Sequence, residues 1–504
     1  MPGPNRGTLL AGGALLGLYL LSCNAVMFGQ YVDDMNWLLF AEQMLKGSLL
    51  RAWHHPPQLE VSMNWGVPAL LMPFLALFGR PVLLLKLFMA CLSFSGLFLL
   101  YLTVRDRFLG PQRWALLSLL FLCDFTLTFS GNIMGEPGYL FILGLIAFLL
   151  FKRSWSVSEE PWLWACIGAL AGFLVLLRSI GAAASIAILL QPLLARRWRP
   201  ILWFFLGAAA AVLPCALYLA AHLGQVTFYG FYWAPMLEGG LITALGSVLQ
   251  NAHLYLKGLT ALTALYLPTF ASPTGFLEWA FMAGGLVLFA AGAWNNRLSG
   301  LHRFLALYCV GHFLVCAGYS YQAPRYIAPM VPAFVILCLE GLRRILPERF
   351  HNRALLAAAA LALASNLPGL ARTVRTSLSQ PLIVPHAAYD WLKAQSRPDD
   401  RVVSLDMVRI NYFTGLKGSI FLPSSGPRDF TEKFRSGGYR WIVVRDAGFI
   451  PTAKGVTDPT RLFYDRLAAY AADERSFELV RTDEAEGVSL YTLRNGTQRP
   501  RRRL

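Results

Sequence analysis

The stretch TLLAGGALLGLYLLSCNAVMFGQYVDDMNW, Thr8 to Trp37, joins an uncharged apolar run to two adjacent carboxylates, Asp33 and Asp34. From Thr8 to Phe28 the run is about 20 residues, long enough to cross a bilayer as a helix. No small-x-small cleavage pattern stands between it and the aspartates. The run therefore reads as a retained helix, with a signal anchor as the other option. Two carboxylates at the mouth of a membrane helix are costly unless they face water or a partner. They mark the place to look for chemistry.

The same apolar character continues down the chain. The 504 residues are 56% hydrophobic and 14% charged, with a mean hydropathy of +0.50. Soluble domains carry about 25% charged residues. The expected architecture is a polytopic α-helical membrane protein with a small C-terminal soluble α/β domain. Residues 1–370 form the membrane domain, including a long external loop at 30–80. Residues 371–504 form the tail domain. About eleven apolar runs read as spans: 8–29, 81–104, 114–130, 137–151, 161–177, 179–194, 201–222, 275–293, 304–318, 327–342 and 354–369.

The net charge of +16 would point to nucleic acid on a soluble protein. Here the cations sit in alternate short loops: Arg105/Arg107/Arg113, Lys152/Arg153, Arg196/Arg197/Arg199, Arg297/Arg303 and Arg343/Arg344/Arg349/Arg353. The positive-inside rule accounts for them and argues against a nucleic-acid partner. It places the amino terminus in the cytoplasm and puts Asp33, Asp34 and the tail outside. This reading takes residues 161–194 as two helices with Arg178 at an external turn. One long helix would reverse every later loop. All eight cysteines fall in apolar segments, which excludes a disulfide framework or a CxxC metal site.

In the first loop, Val67 to Phe78 is short for a span and carries Pro68 and Pro73, so it reads as interfacial or re-entrant. A second external loop, 223–274, holds Phe228, Tyr229, Phe231, Tyr232 and Trp233, ordinary headgroup anchors. In the tail, helical runs at 386–394, 429–436 and 462–471 alternate with strands at 401–405, 440–444, 477–480 and 488–493. Alternation of this kind gives a small α/β domain, read as a lid or docking module. The terminal Arg499-Pro-Arg-Arg-Arg-Leu504 reads as disordered, near anionic headgroups.

Five features fall on the expected external face: Asp33/Asp34; His54-His55-Pro56-Pro57; Glu136 in Asn132-Ile-Met-Gly-Glu-Pro137; Arg178 in Leu176-Leu-Arg-Ser-Ile-Gly181; and Arg325 in Tyr321-Gln-Ala-Pro-Arg-Tyr-Ile-Ala-Pro-Met-Val-Pro332. Their order resembles that of the GT-C membrane glycosyltransferases, in particular the branch of protein O-mannosyltransferases and lipid A aminoarabinose transferases. The resemblance runs over nearly the whole chain. The pair here is Asp-Asp where mannosyltransferases often show Asp-Glu. The loop after it reads Pro56-Pro57-Gln58-Leu59-Glu60 in place of the usual Pro-Pro-Leu.

The resemblance implies an inverting transferase. It would move a sugar from a polyprenyl phosphate to a lipid, glycan or protein acceptor at the external face of a bacterial-type inner membrane. Asp33 or Asp34 would be the base, with Asp33 favoured because Asp34 is nearer the helix start. Glu136 would help position the acceptor or a metal. Lys86, Arg178, Arg325 and Tyr326 would hold the lipid phosphate. No cofactor is required, and a divalent metal is left open. His54 and His55 are the weakest metal candidates, since adjacent histidines are poorly spaced as ligands.

Each residue also has a plainer role. One aspartate can cap the helix beginning near Met35. Glu136 suits a helix start whatever its chemistry. Arg178 can snorkel, Arg325 can pair with a loop acid, and Lys86 is a costly cation one turn inside its helix. Asp124 and Glu340 are intramembrane acids without an assigned partner. A transporter or flippase of lipid-linked substrates is the alternative function. It is opposed by the one-sided charges and the lack of an internal repeat.

Overall fold

Long apolar helices dominate the computed structural model, which describes residues 6–55, 57–59, 64–154, 158, 160–222, 240–263, 276–295, 299–318, 324–420, 426–446 and 459–494. Contacts divide the chain into two units. One is Met1–Met27 with Val61–Leu382; the other is Phe28–Glu60 with Ile383–Leu504. This departs from the expected boundary at 370/371. The helix Glu348–Ser379 runs straight through that position, and the segment bearing Asp33 and Asp34 groups with the tail.

In the first unit, five helices are long and apolar enough to cross a membrane: Val82–Arg107, Gly135–Lys152, Trp198–Ala221, Gly300–Ala317 and Arg325–Ile345. A sixth candidate is Glu348–Ala364 with Asn366–Ser379, bent by 42°. Pro368 lies inside this helix. It cannot donate to the carbonyl four residues earlier, at Ala364, which explains the bend there. Five shorter apolar helices include Gly66–Phe78, Pro161–Leu177 and Gly181–Leu194. Among the described residues, then, five or six helices meet the length for a span, against about eleven expected.

Two further elements differ from expectation. The run 114–130 is broken into Pro111–Phe121 and Asp124–Ser130, and a 24-residue helix, Gly240–Thr263, fills much of what reads as an external loop. The aromatic cluster 228–233, Arg297 and the terminal basic run lie outside the described residues.

Small residues let the helices meet closely. A Cβ at Gly96 or Gly144 would strike the backbone of the facing helix between Val82–Val104 and Gly135–Ala147. Gly168 and Gly207 play the same part between Pro161–Leu177 and Trp198–Ala221. Such contacts suit helices that associate in lipid, where burial gives no hydrophobic gain. The apolar window of Trp198–Ala221 is only 11% buried. It leaves Leu202, Phe205, Leu206, Leu213 and Leu217 exposed, a surface that calls for lipid rather than water. This is the make-up of an integral membrane protein.

The second unit is built on a five-stranded sheet: β3 (Arg401–Val403), β4 (Lys417–Ser419), β5 (Tyr439–Arg445), β6 (Phe477–Asp483) and β7 (Val488–Leu493), after the short pair β1 (Leu50–Arg51) and β2 (Gln58–Leu59). The order is β4-β3-β5-β7-β6, parallel across β4-β3-β5 and antiparallel beyond. Phe430, Phe434, Ile442, Tyr464, Leu467 and Phe477 form its core. Sequence patterning missed β4 and the helix before it, Met407–Thr414. The helix Val32–Leu45 belongs to this unit. Its entry is tied down by Val384, whose N–H bonds the Phe28 carbonyl at 3.0 Å.

Candidate functional site

Two polar centres stand out, one in each unit. In the helical unit, Glu136 lies in the first turn of Gly135–Ala147, where the helix dipole favours a negative charge. Residues 161–194 are two helices. Pro161–Leu177 stops, Arg178 is extended at φ −157°, and the next helix starts at Gly181. The break frees Arg178 to turn its guanidinium onto Glu136, and Arg178 Nη1 pairs with Glu136 Oε1. Gly135 makes the approach possible, since a Cβ there would lie 2.8 Å from the Leu177 carbonyl oxygen and 2.9 Å from Arg178 Cγ.

A 3-10 turn, Pro324–Met330, adds the third side. Arg325 Nε lies 3.9 Å from the same Oε1, and Arg325 Nη1 is 3.2 Å from Met134 Sδ. The Tyr326 ring lies 4.5 Å from the Arg178 guanidinium and 5.7 Å from that of Arg325, cation–π geometry in both cases. His312 Nε2 is 2.8 Å from the Tyr326 carbonyl. A carbonyl only accepts, so this nitrogen carries the proton.

The structure thus gathers Glu136, Arg178, Arg325 and Tyr326. It adds His312, which reads in the sequence as one polar residue in an apolar run. Glu136 is 6% exposed, and its Oε2 is buried without a hydrogen-bond partner among the described residues. A carboxylate with one oxygen pinned by cations and the other unsatisfied is suited to receive a donor from a ligand.

Lys86 has its own anchor in this unit. It is 1% exposed, and its ammonium donates to the Val26 carbonyl, just past the end of the first helix. Glu340 pairs with Arg343 at 3.4 Å and with His302 at 3.6 Å, which supplies the partners its sequence context lacks. The Asp124 side chain lies outside the described residues.

In the second unit, both aspartates fall in the first turn of Val32–Leu45. Asp34 is 4% exposed. Its Oδ2 accepts from Gly29 N–H at 2.6 Å and its Oδ1 from Met35 N–H at 2.7 Å. Asp33 is half-buried. Gly29 has φ +87°, a conformation suited to glycine.

The Gly29 carbonyl is held from the other side by Arg409, through Nε at 2.9 Å and Nη2 at 2.6 Å. Arg409 also reaches the Gln30 carbonyl at 3.2 Å, and its Nη1 lies 3.1 Å from both oxygens of Asp406. Burial opposes the Arg409 charge, but Asp406, Tyr389, Tyr464 and Asp34 outweigh it and hold the guanidinium above its ordinary pKa. Asp406 is completed by the Tyr389 hydroxyl at 2.7 Å and by Arg445 at 3.3 Å. Arg409 sits on the short helix the sequence did not reveal.

His54 and His55 are placed by backbone pairing with β4. His55 N–H bonds the Gly418 carbonyl at 2.6 Å, and Gly418 N–H bonds the Trp53 carbonyl at 3.1 Å. Burial, with Arg51 nearby, lowers the His54 pKa to about 4. Among the described residues, no group of three or more His, Cys, Asp or Glu side chains could hold a metal.

Among solved structures, the chain is similar to ArnT from Cupriavidus metallidurans bound to undecaprenyl phosphate. The TM-score is 0.60 at 12% identity, over 99% of this chain and 100% of that one. The apo form of the same protein gives 0.58 at 12% identity, over 96% and 97%. The archaeal oligosaccharyltransferase AglB from Archaeoglobus fulgidus, in complex with an inhibitory peptide and a dolichol-phosphate, gives 0.50 at 14% identity, over 87% and 70%. No family model and no curated protein matches the sequence. At such identities the likeness is one of fold: the chain shares the fold of ArnT.

Proposed function

We propose that this chain is an inverting glycosyltransferase that uses a polyprenyl-phosphate-linked sugar. The observation that carries the reading is the cluster of Glu136 with Arg178, Arg325 and Tyr326, set in a fold shared with a protein crystallised with undecaprenyl phosphate. Two guanidiniums over one half-satisfied carboxylate suit a phosphate that gains charge as it leaves.

In the proposed reaction an acceptor hydroxyl attacks the anomeric carbon. The bond from that carbon to the phosphate oxygen breaks, and the lipid phosphate departs with the electron pair. Asp33 takes the hydroxyl proton. Asp34 is assigned to hold the turn, because both its oxygens are engaged by backbone N–H groups. Arg178, Arg325, Tyr326 and Lys86 are assigned to the phosphate, and Glu136 to positioning the acceptor. The proposal keeps about eleven crossings, a cytoplasmic amino terminus, and an external reaction with the tail as an external α/β domain. The acceptor is a lipid, a glycan or a protein.

The test is transfer from radiolabelled polyprenyl-phosphate sugars by membranes containing the protein, with the product class read by extraction. Transfer that Asp33→Ala abolishes supports the reading. Translocation of the lipid-linked sugar without transfer would replace it with a flippase.

A further inference from the structure

The end of the helical unit opposite Glu136 holds a second feature that the proposed reaction does not use. The Glu136 helix continues into a π-helical turn, Phe148–Lys152. By that point it has travelled roughly 24 Å at 1.5 Å per residue. The helix that follows Arg178 ends at Leu194, and Gly300–Ala317 starts at this same end. These termini surround a cavity of about 560 Å³, within the roughly 300–1,000 Å³ of small-molecule sites.

Four cations line it, Arg107, Lys152, Arg197 and Arg303, against one carboxylate, Asp106. The positive-inside rule explains why cations occupy this face, but a cation anywhere on the face satisfies it. It does not explain convergence on one cavity. The side chains are also held in place. Arg107 donates to Ser299 Oγ at 3.0 Å and faces His302 Nδ1 at 3.2 Å. Lys152 pairs with Asp106. Arg197 Nη2 bonds the Ser158 carbonyl at 2.7 Å, while its Nε is buried with no partner among the described residues.

The backbone around the cavity is unusual. Among the described residues, only Ser154 and Arg196 are non-glycine residues with positive φ. One follows Lys152 and the other precedes Arg197. Such conformations are uncommon for residues other than glycine, and here they end the two helices that reach the cavity. Ser299 and Gly300 bring the start of Gly300–Ala317 to the cavity. Ser299 makes no side-chain cap bond there, so the first-turn N–H groups add to the positive field. Beside the cavity, Leu193, Leu194 and Trp198 are 41%, 56% and 69% exposed, as expected of residues at a lipid interface.

We propose that this cavity binds a phosphate group, that of an anionic phospholipid headgroup whose acyl chains lie along the exposed Leu193, Leu194 and Trp198. Guanidiniums match phosphate oxygens bidentately, and an anion relieves the mutual repulsion of the four cations. The proposal is independent of the transferase reading.

The test uses the full chain, delipidated in neutral detergent. Its thermal unfolding is followed with added phosphatidylglycerol, with phosphatidylcholine, and with sodium phosphate against sodium chloride at equal ionic strength. Retained lipid is measured by mass spectrometry. Phosphatidylglycerol is expected to raise Tm and be retained where phosphatidylcholine is not. The pair Arg197→Gln/Arg303→Gln should lower retention about tenfold. Arg197→Lys/Arg303→Lys should keep most of it, which separates charge from folding. Stabilisation by sodium phosphate alone, lost in the Gln pair, upholds the anion site with a soluble ligand. Equal stabilisation by both lipids, or a Gln pair that retains phosphatidylglycerol like the parent, overturns the proposal.

Discussion

Asp34 and Glu136 are both buried carboxylates in the first turn of a helix, yet opposite kinds of donor hold them. Asp34 is satisfied at both oxygens by neutral backbone N–H groups. Glu136 is held at one oxygen by Arg178, with Arg325 nearby, and its other oxygen has no partner among the described residues. A carboxylate with a backbone donor on each oxygen serves to hold its turn. One left half-satisfied between two cations has capacity for a ligand. Asp33, to which the proposed reaction assigns the base, stands beside Asp34 and is half-buried.

The strongest test of the contrast is Asp33 against Asp34. Asp33→Asn should lower kcat for sugar transfer by about 10²–10⁴, the usual worth of a general base, with Tm unchanged. If Asp33→Asn turns over normally while a folded Asp34→Asn is dead, the division between the two aspartates is wrong. Next in size is Glu136→Gln. Removing one partner of a buried ion pair costs about 3–5 kcal/mol, because Arg178 keeps its charge. Arg178→Gln added to Glu136→Gln should recover part of the lost thermal stability. Strict additivity of the two changes would mean the pair is not coupled.

Asp34→Asn should be milder, about 1–3 kcal/mol. An amide oxygen still serves one backbone N–H, and the amide nitrogen faces the other. Gly29→Ala should give a loss of the same order in Tm and share its phenotype, since both disturb one turn. The smallest effect belongs to His54. Its folded pKa of about 4 lies below the usual 6.5, so the unfolded chain binds the extra proton. Stability should therefore fall as pH drops from above 6.5 toward 4, by about 0.7 kcal/mol between pH 7 and pH 6. Hydrogen-exchange protection of β4, corrected for intrinsic rates, should report this, and His54→Gln should flatten the response.

Much of this was legible because it is local. Val82–Val104 and Gly135–Ala147 are apolar runs that each carry a single charge, Lys86 and Glu136. Phe477–Asp483 and Val488–Leu493 pair as their alternation implied. Gly240–Thr263 was hidden because Gln250, Asn251, His253 and Lys257 break its hydropathy, although polar residues suit one face of a helix. Met407–Thr414 is eight residues long and has no side-chain cap, so it leaves little periodic signal. That is why Arg409 went unnoticed. Glu136, Arg178, Arg325 and Tyr326 could be found from their motifs. That 28–60 would group with 383–504 could not, since local patterning says nothing about which distant segments meet.

That grouping also bears on how the protein is made. Segment 28–60 leaves the ribosome early, while Arg409, which anchors its turn, lies 375 residues after Asp34. At about 5–20 residues per second, the aspartate turn waits roughly 20–75 s for the side chain that holds it. During that interval Gly29 lacks Arg409 and Phe28 lacks Val384. In that time the two adjacent carboxylates that follow the first apolar helix lack the partners that later bury one of them. A truncation before Arg409 would leave the segment in that condition permanently, even with every apolar helix of the first unit already synthesised.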